Sequence, residues 1–136
     1  MNTSGYFSKY FTTIYQSLES IDSTQLEQAA TMVWAVHQSG KKIIVVGNGG
    51  SAAMASHVAV DFTKAAGMRS INFNEADLLT CFANDFGYEQ AYAKAIDYYG
   101  DEGDGLIAIS SSGTSIKMWP SSDVMRNDVS VAVPTW

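Results

Sequence analysis

Cysteine and basic residues are scarce in this chain, and each scarcity argues against a class of protein. One cysteine in 136 residues, Cys81, excludes an internal disulfide framework and any zinc site built from several cysteines. Eight Lys and Arg against fourteen Asp and Glu give a net charge of −6, so no nucleic-acid or anionic-membrane surface is expected. No apolar run approaches the roughly 20 residues that span a bilayer, and the N-terminus lacks the pattern of a secretion signal. We therefore expect a soluble cytoplasmic domain.

The apolar content is sufficient for one core, since 46% of the residues are hydrophobic and the length suits a single domain over residues 1–136. Short β-branched runs alternate with stretches of helical periodicity. Strands are predicted at 41–47, 70–74, 106–109 and 129–133, and helices at 4–19, 23–39, 51–66, 76–83 and 88–99. This alternation predicts an α/β fold in which helices cover both faces of a parallel sheet.

The first strand is followed by a glycine loop, Gly47-Asn48-Gly49-Gly50-Ser51. Glycines let the backbone turn sharply and approach a ligand closely. The next helix presents free N–H groups that suit an anion or polar oxygens. The spacing matches neither the dinucleotide fingerprint nor a Walker motif, so no nucleotide cofactor is expected. The alternative is a tight turn without a ligand.

A second loop, Ser110-Ser111-Ser112-Gly113-Thr114-Ser115, follows another strand and carries five hydroxyls in six residues. Hydroxyls and backbone N–H groups can surround a phosphate without a lysine. The alternative is a solvated serine-rich loop. Two such loops at the carboxyl ends of strands favour a ligand crevice at one edge of the sheet.

Four ionisable or amide side chains complete the set of candidates. His57 and Asp61 lie four residues apart on one helix face, where they could transfer protons, hold a metal or form a surface hydrogen bond. Asn84 and Asp85 are predicted in a turn over 84–87, and their residue types alone indicate a structural role.

Taken together and in this order, these segments resemble the sugar isomerase (SIS) domain family, and within it the phosphoheptose isomerase branch. The resemblance covers about residues 5–116. It rests on the glycine loop, on His57 with an acid four residues later, on Ala83-Asn84-Asp85 before Tyr88-Glu89, on Gly103-Asp104 before a strand, and on the serine loop.

The resemblance implies a three-layer α/β/α sandwich of SIS type, flavodoxin-like in its parallel sheet. It implies a homotetramer with the N-terminal helices, residues 4–39, at the interface and a sugar-phosphate-binding core over 41–136. The implied reaction converts sedoheptulose 7-phosphate to a glycero-manno-heptose 7-phosphate for lipopolysaccharide or capsule. Substrate would be held by Asn48, Gly49, Gly50, Ser51, Asn84, Asp85, Ser110, Ser111, Ser112 and Ser115.

The same resemblance makes the acid at position 61 the catalytic base, and the family usually has Glu where this chain has Asp61. It makes His57 a second catalytic residue, and in some members a zinc ligand together with the acid. The family also continues past the pattern seen here, so its last strand and helix, with a Gln and a His, are expected to be missing. The alternative function is a non-catalytic SIS module that binds a phosphosugar or a protein partner as a regulator or adaptor.

Overall fold

A computed structural model describes residues 3–111 and 127–129 of the chain. Its four strands form one parallel sheet in the order β2-β1-β3-β4. The elements are α1 (Thr3–Glu19), α2 (Ser23–Gln38), β1 (Ile43–Gly47), α3 (Gly50–Lys64), β2 (Ser70–Ile71), α4 (Ala76–Phe86), a 3-10 turn (Tyr88–Gln90), α5 (Ala91–Tyr99), β3 (Gly105–Ile109) and β4 (Asn127–Val129). The predicted α/β fold with a parallel sheet is confirmed.

Alternate side chains of β1 enter two separate apolar layers, as the period of a strand requires. Ile44 and Val46 pack with residues of α4 and α5, whereas Ile43 and Val45 pack with residues of α2 and α3. All five residues of β1 are buried, which explains why its sequence is continuously apolar rather than alternating. Helices therefore pack on both faces of the sheet, which confirms the three-layer α/β/α sandwich.

The element boundaries differ from the predicted ones mainly around α4. The predicted turn over 84–87 is wrong in part, because α4 continues to Phe86 and only Gly87, with φ of +84°, ends it. The predicted strand over 70–74 is ordered as a strand only over Ser70–Ile71. The predicted last strand, 129–133, falls outside the described residues beyond its first position.

The first helix presents its aromatic stripe to solvent. Phe7, Phe11 and Tyr15 of α1 are each more than half exposed, and no described side chain of α1 is fully buried. The aromatic rings contact one another along the helix, with centroids 6.2 Å apart for Phe7 and Phe11. None of the described helices combines the length and the apolar content needed to span a bilayer.

A buried ion pair joins the starts of β1 and β3, at the amino end of the sheet. Asp104 is fully buried and accepts hydrogen bonds from the backbone N–H groups of Lys42 (2.9 Å) and Asp101 (2.8 Å). The Lys42 ammonium lies 2.7 Å from Asp101 and 2.5 Å from Asp104. Burial lowers the pKa of Lys42, but the two carboxylates outweigh it and raise the pKa overall. The hydrogen bond from Lys42 lowers the pKa of Asp101.

Candidate functional site

The order of the strands creates a switch point between β1 and β3. The chain passes from β1 to β2 on one side and then returns to β3 on the other side of β1. In such sheets the connections at the carboxyl ends of these strands diverge and leave a crevice, where ligands bind. The glycine loop follows β1 at this edge, and Ser110 follows β3.

The strand register brings the two loops to the same level. Gly47, the last residue of β1, pairs with Ile109, the last residue of β3. Asn48 and Ser110 are therefore the first residues beyond adjacent strands, whose backbones lie about 4.8 Å apart. The prediction that both loops share one edge of the sheet is confirmed for the residues that the structure describes.

The glycine loop is shaped by two different requirements for glycine. A Cβ on Gly47 would lie 2.6 Å from the Ser51 carbonyl oxygen, so no side chain fits there. Gly49 has φ of +58°, which other residues rarely adopt. The Ser51 N–H donates to the Asn48 carbonyl (3.0 Å) and the Ala52 N–H to the Gly49 carbonyl (3.0 Å), closing the first turn of α3. Gly49 and Gly50 expose their backbone at this turn.

The serine loop is described only at its start. Ser111 is exposed, whereas the Ser110 hydroxyl oxygen is buried and has no hydrogen-bond partner among the described residues. Buried hydroxyls in folded proteins usually have a hydrogen-bond partner, so the Ser110 hydroxyl is available to a group beyond the described residues. Ser112 and Ser115, the other predicted phosphate-binding residues, lie outside the described residues.

Asn84 and Asp85 lie in the last turn of α4, and both are exposed. The Asn84 amide donates to one Asp85 carboxylate oxygen (2.9 Å), and the Cys81 thiol lies 3.9 Å from the other. The segment just after them reaches the glycine loop, because the Tyr88 hydroxyl donates to the Asn48 side-chain oxygen (3.0 Å). This contact links the α4–α5 junction to the crevice between β1 and β3.

His57 and Asp61 share one face of α3, as the spacing predicts, but they are open to solvent. Their side chains are 79% and 64% exposed, and 3.7 Å separates His57 Nε2 from Asp61 Oδ2. The part of the chain that the structure describes contains no group of three His, Cys, Asp or Glu side chains placed to hold a metal. Because proteins bind zinc through three or four ligands, these two residues do not form a zinc site by themselves.

Three residues at this edge carry contacts that sequence reasoning missed. Besides Tyr88, the buried Tyr92 hydroxyl donates to the Gly47 carbonyl (2.7 Å), and it lies 3.2 Å from the side-chain oxygen of Asn74. Burial raises the pKa of Tyr92, and the nearby Tyr88 raises it further, so the hydroxyl keeps its proton. The only sequence signal was Tyr rather than Phe at a core position, which implies a buried hydroxyl that needs a partner.

A cleft of about 260 Å³ lies away from these loops, between α3 and β2. It is lined by Ala59, Val60, Thr63, Lys64, Ser70 and Asn72, none of which belongs to the predicted site. The candidate site is therefore defined by the strand register and the loop hydrogen bonds rather than by this cleft.

Comparison with known proteins identifies similar chains across most of this sequence. The family model described as "SIS domain" matches residues 6–118. A phosphoheptose isomerase of Aneurinibacillus thermoaerophilus is 36% identical over 114 residues, covering 79% of this chain and 58% of that protein. A phosphoheptose isomerase of Fusobacterium nucleatum is 34% identical over 102 residues, covering 71% of this chain and 53% of that protein. The chain thus spans somewhat more than half the length of these curated relatives.

Solved structures with the same fold include two phosphoheptose isomerases. The protein from Neisseria gonorrhoeae superposes with a TM-score of 0.76 at 22% identity, covering 97% of this chain and 84% of that one. The protein from Francisella tularensis superposes with a TM-score of 0.73 at 20% identity, covering 98% and 84%. These likenesses show that the architecture is shared.

Proposed function

This chain belongs to the SIS domain family, and from that premise we propose that it is a sugar-phosphate isomerase of phosphoheptose type. The proposed reaction interconverts sedoheptulose 7-phosphate and glycero-manno-heptose 7-phosphate in the cytoplasm, toward lipopolysaccharide or capsule sugars. The observation that supports the proposal is the pairing of Gly47 with Ile109, which puts the glycine loop and Ser110, the first residue of the serine loop, at the same edge of the sheet. Relatives named phosphoheptose isomerase support the choice of reaction.

The two loops divide the work of binding. The serine loop, beginning with Ser110 and Ser111, supplies hydroxyls for the phosphate, and the Ser110 hydroxyl, which has no hydrogen-bond partner among the described residues, is one candidate donor. The glycine loop supplies backbone N–H groups and the Asn48 amide to sugar oxygens. Directed hydrogen bonds matter here because a net charge of −6 disfavours long-range attraction of an anion.

The isomerisation itself requires proton transfer between adjacent carbons. In the ketose-to-aldose direction, a base removes a proton from C1 while the C2 carbonyl oxygen gains one, which gives an enediol. Reprotonation at C2 and loss of the proton on O1 then give the aldose. We assign the base to Asp61 on α3 and the oxygen-proton exchange to His57, one turn away on the same face.

The experiment is to incubate the chain with sedoheptulose 7-phosphate, with and without added zinc, and to follow formation of the aldose phosphate. Asp61→Asn is expected to lower kcat by about 10²–10⁴-fold, the usual contribution of a general base. Asp77→Asn, an exposed acid in the first turn of α4, is the matched control and keeps full activity. Absence of turnover by the unmodified chain at any concentration would remove the catalytic assignment.

A non-catalytic phosphosugar-binding module is the second candidate, and the exposure of His57 and Asp61 favours it. Proton transfer from carbon is helped by exclusion of water, which an open pair on one chain does not provide. Calorimetry with sedoheptulose 7-phosphate separates the two functions. A binding module binds the sugar without turnover, loses affinity in Ser110→Ala, and keeps it in Asp61→Asn.

We also propose that the active unit is a homotetramer and that α1 lies in its interface. An exposed stripe of large aromatic side chains on one helix is unusual for a surface that faces only water. Packing of a second copy against this stripe would bury it. A bound zinc ion stays a prediction for His57 and Asp61, and it would require further ligands from outside the described residues or from another chain.

A further inference from the structure

A buried hydrogen-bond network lies beneath the glycine loop, and the proposed reaction uses none of its members. At its centre is Tyr92 of α5, which is 4% exposed and whose hydroxyl lies 2.7 Å from the Gly47 carbonyl and 3.2 Å from Asn74 Oδ1. A phenol has one proton, so it donates to one of these oxygens at a time, and the Gly47 carbonyl is the nearer. The hydroxyl thereby satisfies the last carbonyl of β1.

The amide nitrogen and the amide oxygen of the Asn74 side chain both face hydrogen-bonding groups of other residues. Its amide nitrogen donates to the Ala52 carbonyl (2.7 Å) and to the Ser56 hydroxyl (2.8 Å), which uses both N–H groups. Its backbone N–H donates to the Asn72 side-chain oxygen (3.0 Å), which holds the turn after β2. With both N–H groups turned toward α3, the amide oxygen faces Tyr92.

The network therefore holds the glycine loop at both ends. Gly47 is the first residue of the loop and the last of β1, and Ala52 and Ser56 lie in the first two turns of α3, just after the loop. Between them, Gly49 and Gly50 have no side chains with which to fix the loop, and a Cβ at either would meet nothing within 4 Å. The loop conformation thus depends on hydrogen bonds to residues outside the loop. Tyr92 and Asn74 are buried or partly buried residues that make such bonds.

We propose that Tyr92 and Asn74 are positioning residues that hold the glycine loop in the conformation that receives the sugar. The proposal rests on the proposed function for the identity of the ligand, but the restraint on the loop is a property of the unliganded chain. Tyr92→Phe tests it, because that substitution removes one oxygen and leaves the ring in the core. Tyr98→Phe, the same substitution at an exposed position of the same helix, is the matched control.

The first measurement is hydrogen exchange of the free protein. Tyr92→Phe is expected to raise the exchange rates of the Ser51 and Ala52 amides about tenfold, the effect of losing one buried hydrogen bond. Exchange at the β3 amides, such as Leu106 and Ala108, is expected to stay unchanged, and Tyr98→Phe is expected to change neither set. Equal exchange at Ser51 in Tyr92→Phe and the unmodified chain would overturn the proposal, and so would an equal increase in β3.

The second measurement is the affinity for sedoheptulose 7-phosphate well below the melting temperature. A positioning role predicts about a tenfold higher Kd in Tyr92→Phe with Tyr98→Phe unchanged. A role in global stability alone would lower the melting temperature and leave Kd unchanged, which contradicts the proposal. If the unmodified chain binds no sedoheptulose 7-phosphate, the proposed function fails, and the exchange experiment alone decides whether the Tyr92 hydroxyl restrains the loop.

Discussion

Gly47 is fixed by steric contact rather than by conformational freedom. Its φ is not among the positive values in the chain, yet the space for a Cβ is taken by the backbone of Ser51. The sequence showed three glycines in the loop but could not separate this role from that of Gly49, whose φ is +58°. The distinction gives each glycine a different expected response to substitution.

Gly47→Ala is expected to destabilise the fold by about 1–3 kcal/mol, because the new Cβ must displace the first turn of α3. Gly50→Ala is the control, since that position is helical, has ordinary φ and leaves open space for a Cβ. There we expect no loss, and a gain of up to about 1 kcal/mol from helix propensity. Urea unfolding measures both variants, and equal stabilities would contradict the steric assignment.

Tyr92 and Asn74 show which residues of the site the sequence could not reveal. The structure buries Tyr92 among the apolar residues of α5. Which carbonyl its hydroxyl reaches depends on how α5 lies across β1, and no local pattern encodes that placement. Ser110 and Asn48, by contrast, were identifiable because each directly follows an apolar strand.

At the scale of the element, α4 shows packing overriding a turn signal. Asn84 and Asp85 favour turns, but the helix continues because Leu78, Leu79 and Phe82 pack against the core. Phe86 extends this face, with its ring 5.7 Å from that of Phe82.

The N-cap of α2 at Asp22 was predictable from the sequence. Short polar residues commonly accept a backbone hydrogen bond at the start of a helix, and the Asp22 carboxylate accepts one from the Thr24 N–H (2.9 Å).

The buried ion pair at the amino end of the sheet connects β1 to β3, and its two carboxylates are expected to contribute unequally to the free energy of unfolding. Asp104→Ala is expected to destabilise the fold by about 3–5 kcal/mol, because the Lys42 ammonium and two backbone N–H groups lose a buried acceptor. Asp101→Ala removes an exposed partner of the same lysine and is expected to destabilise the fold much less, because solvent screens an exposed ion pair. Chemical unfolding distinguishes them, and similar losses in both variants would contradict this difference.

At the scale of the whole molecule, these charges give a pH dependence of stability with a defined sign. The lowered pKa of Asp101 contributes stability that is present above its ordinary value of 3.8 and is lost as the pH falls through the lower folded value. The raised pKa of Lys42 contributes stability that is present below 10.5 and is lost as the pH rises through the higher folded value.

The free energy of unfolding is therefore expected to change little between these limits. Below them, it is expected to fall less steeply with decreasing pH in Asp101→Asn than in the unmodified chain. Unfolding free energies measured from pH 2 to pH 7 provide the check. Asp77→Asn, which alters an exposed acid of α4, should keep the original slope. Identical acid slopes in Asp101→Asn and the unmodified chain would rule out this linkage.

The proposed assembly predicts a change in mass when α1 is made polar. Phe7→Asp with Phe11→Asp places two charges in the exposed aromatic stripe and is expected to yield single chains, because burying unpaired carboxylates is unfavourable. Gln16→Asp puts a charge on the opposite face of α1 and should leave the assembly intact. Light scattering after size-exclusion chromatography measures the mass, and an unmodified chain that is already monomeric would refute the assembly.

The order of elements, the parallel sheet and the two loops after β1 and β3 were determined by the sequence, because strand and helix periods and glycine positions are local properties. The tertiary structure alone decided that β1 and β3 are neighbours in register, that α4 passes through Asn84 and Asp85, and that His57 and Asp61 lie open to solvent. It also decided that Tyr92 and Asn74 form hydrogen bonds to Gly47 and Ala52, at the two ends of the glycine loop. Each of these depends on how the layers pack, which joins residues far apart in the chain and so leaves no periodic trace in it.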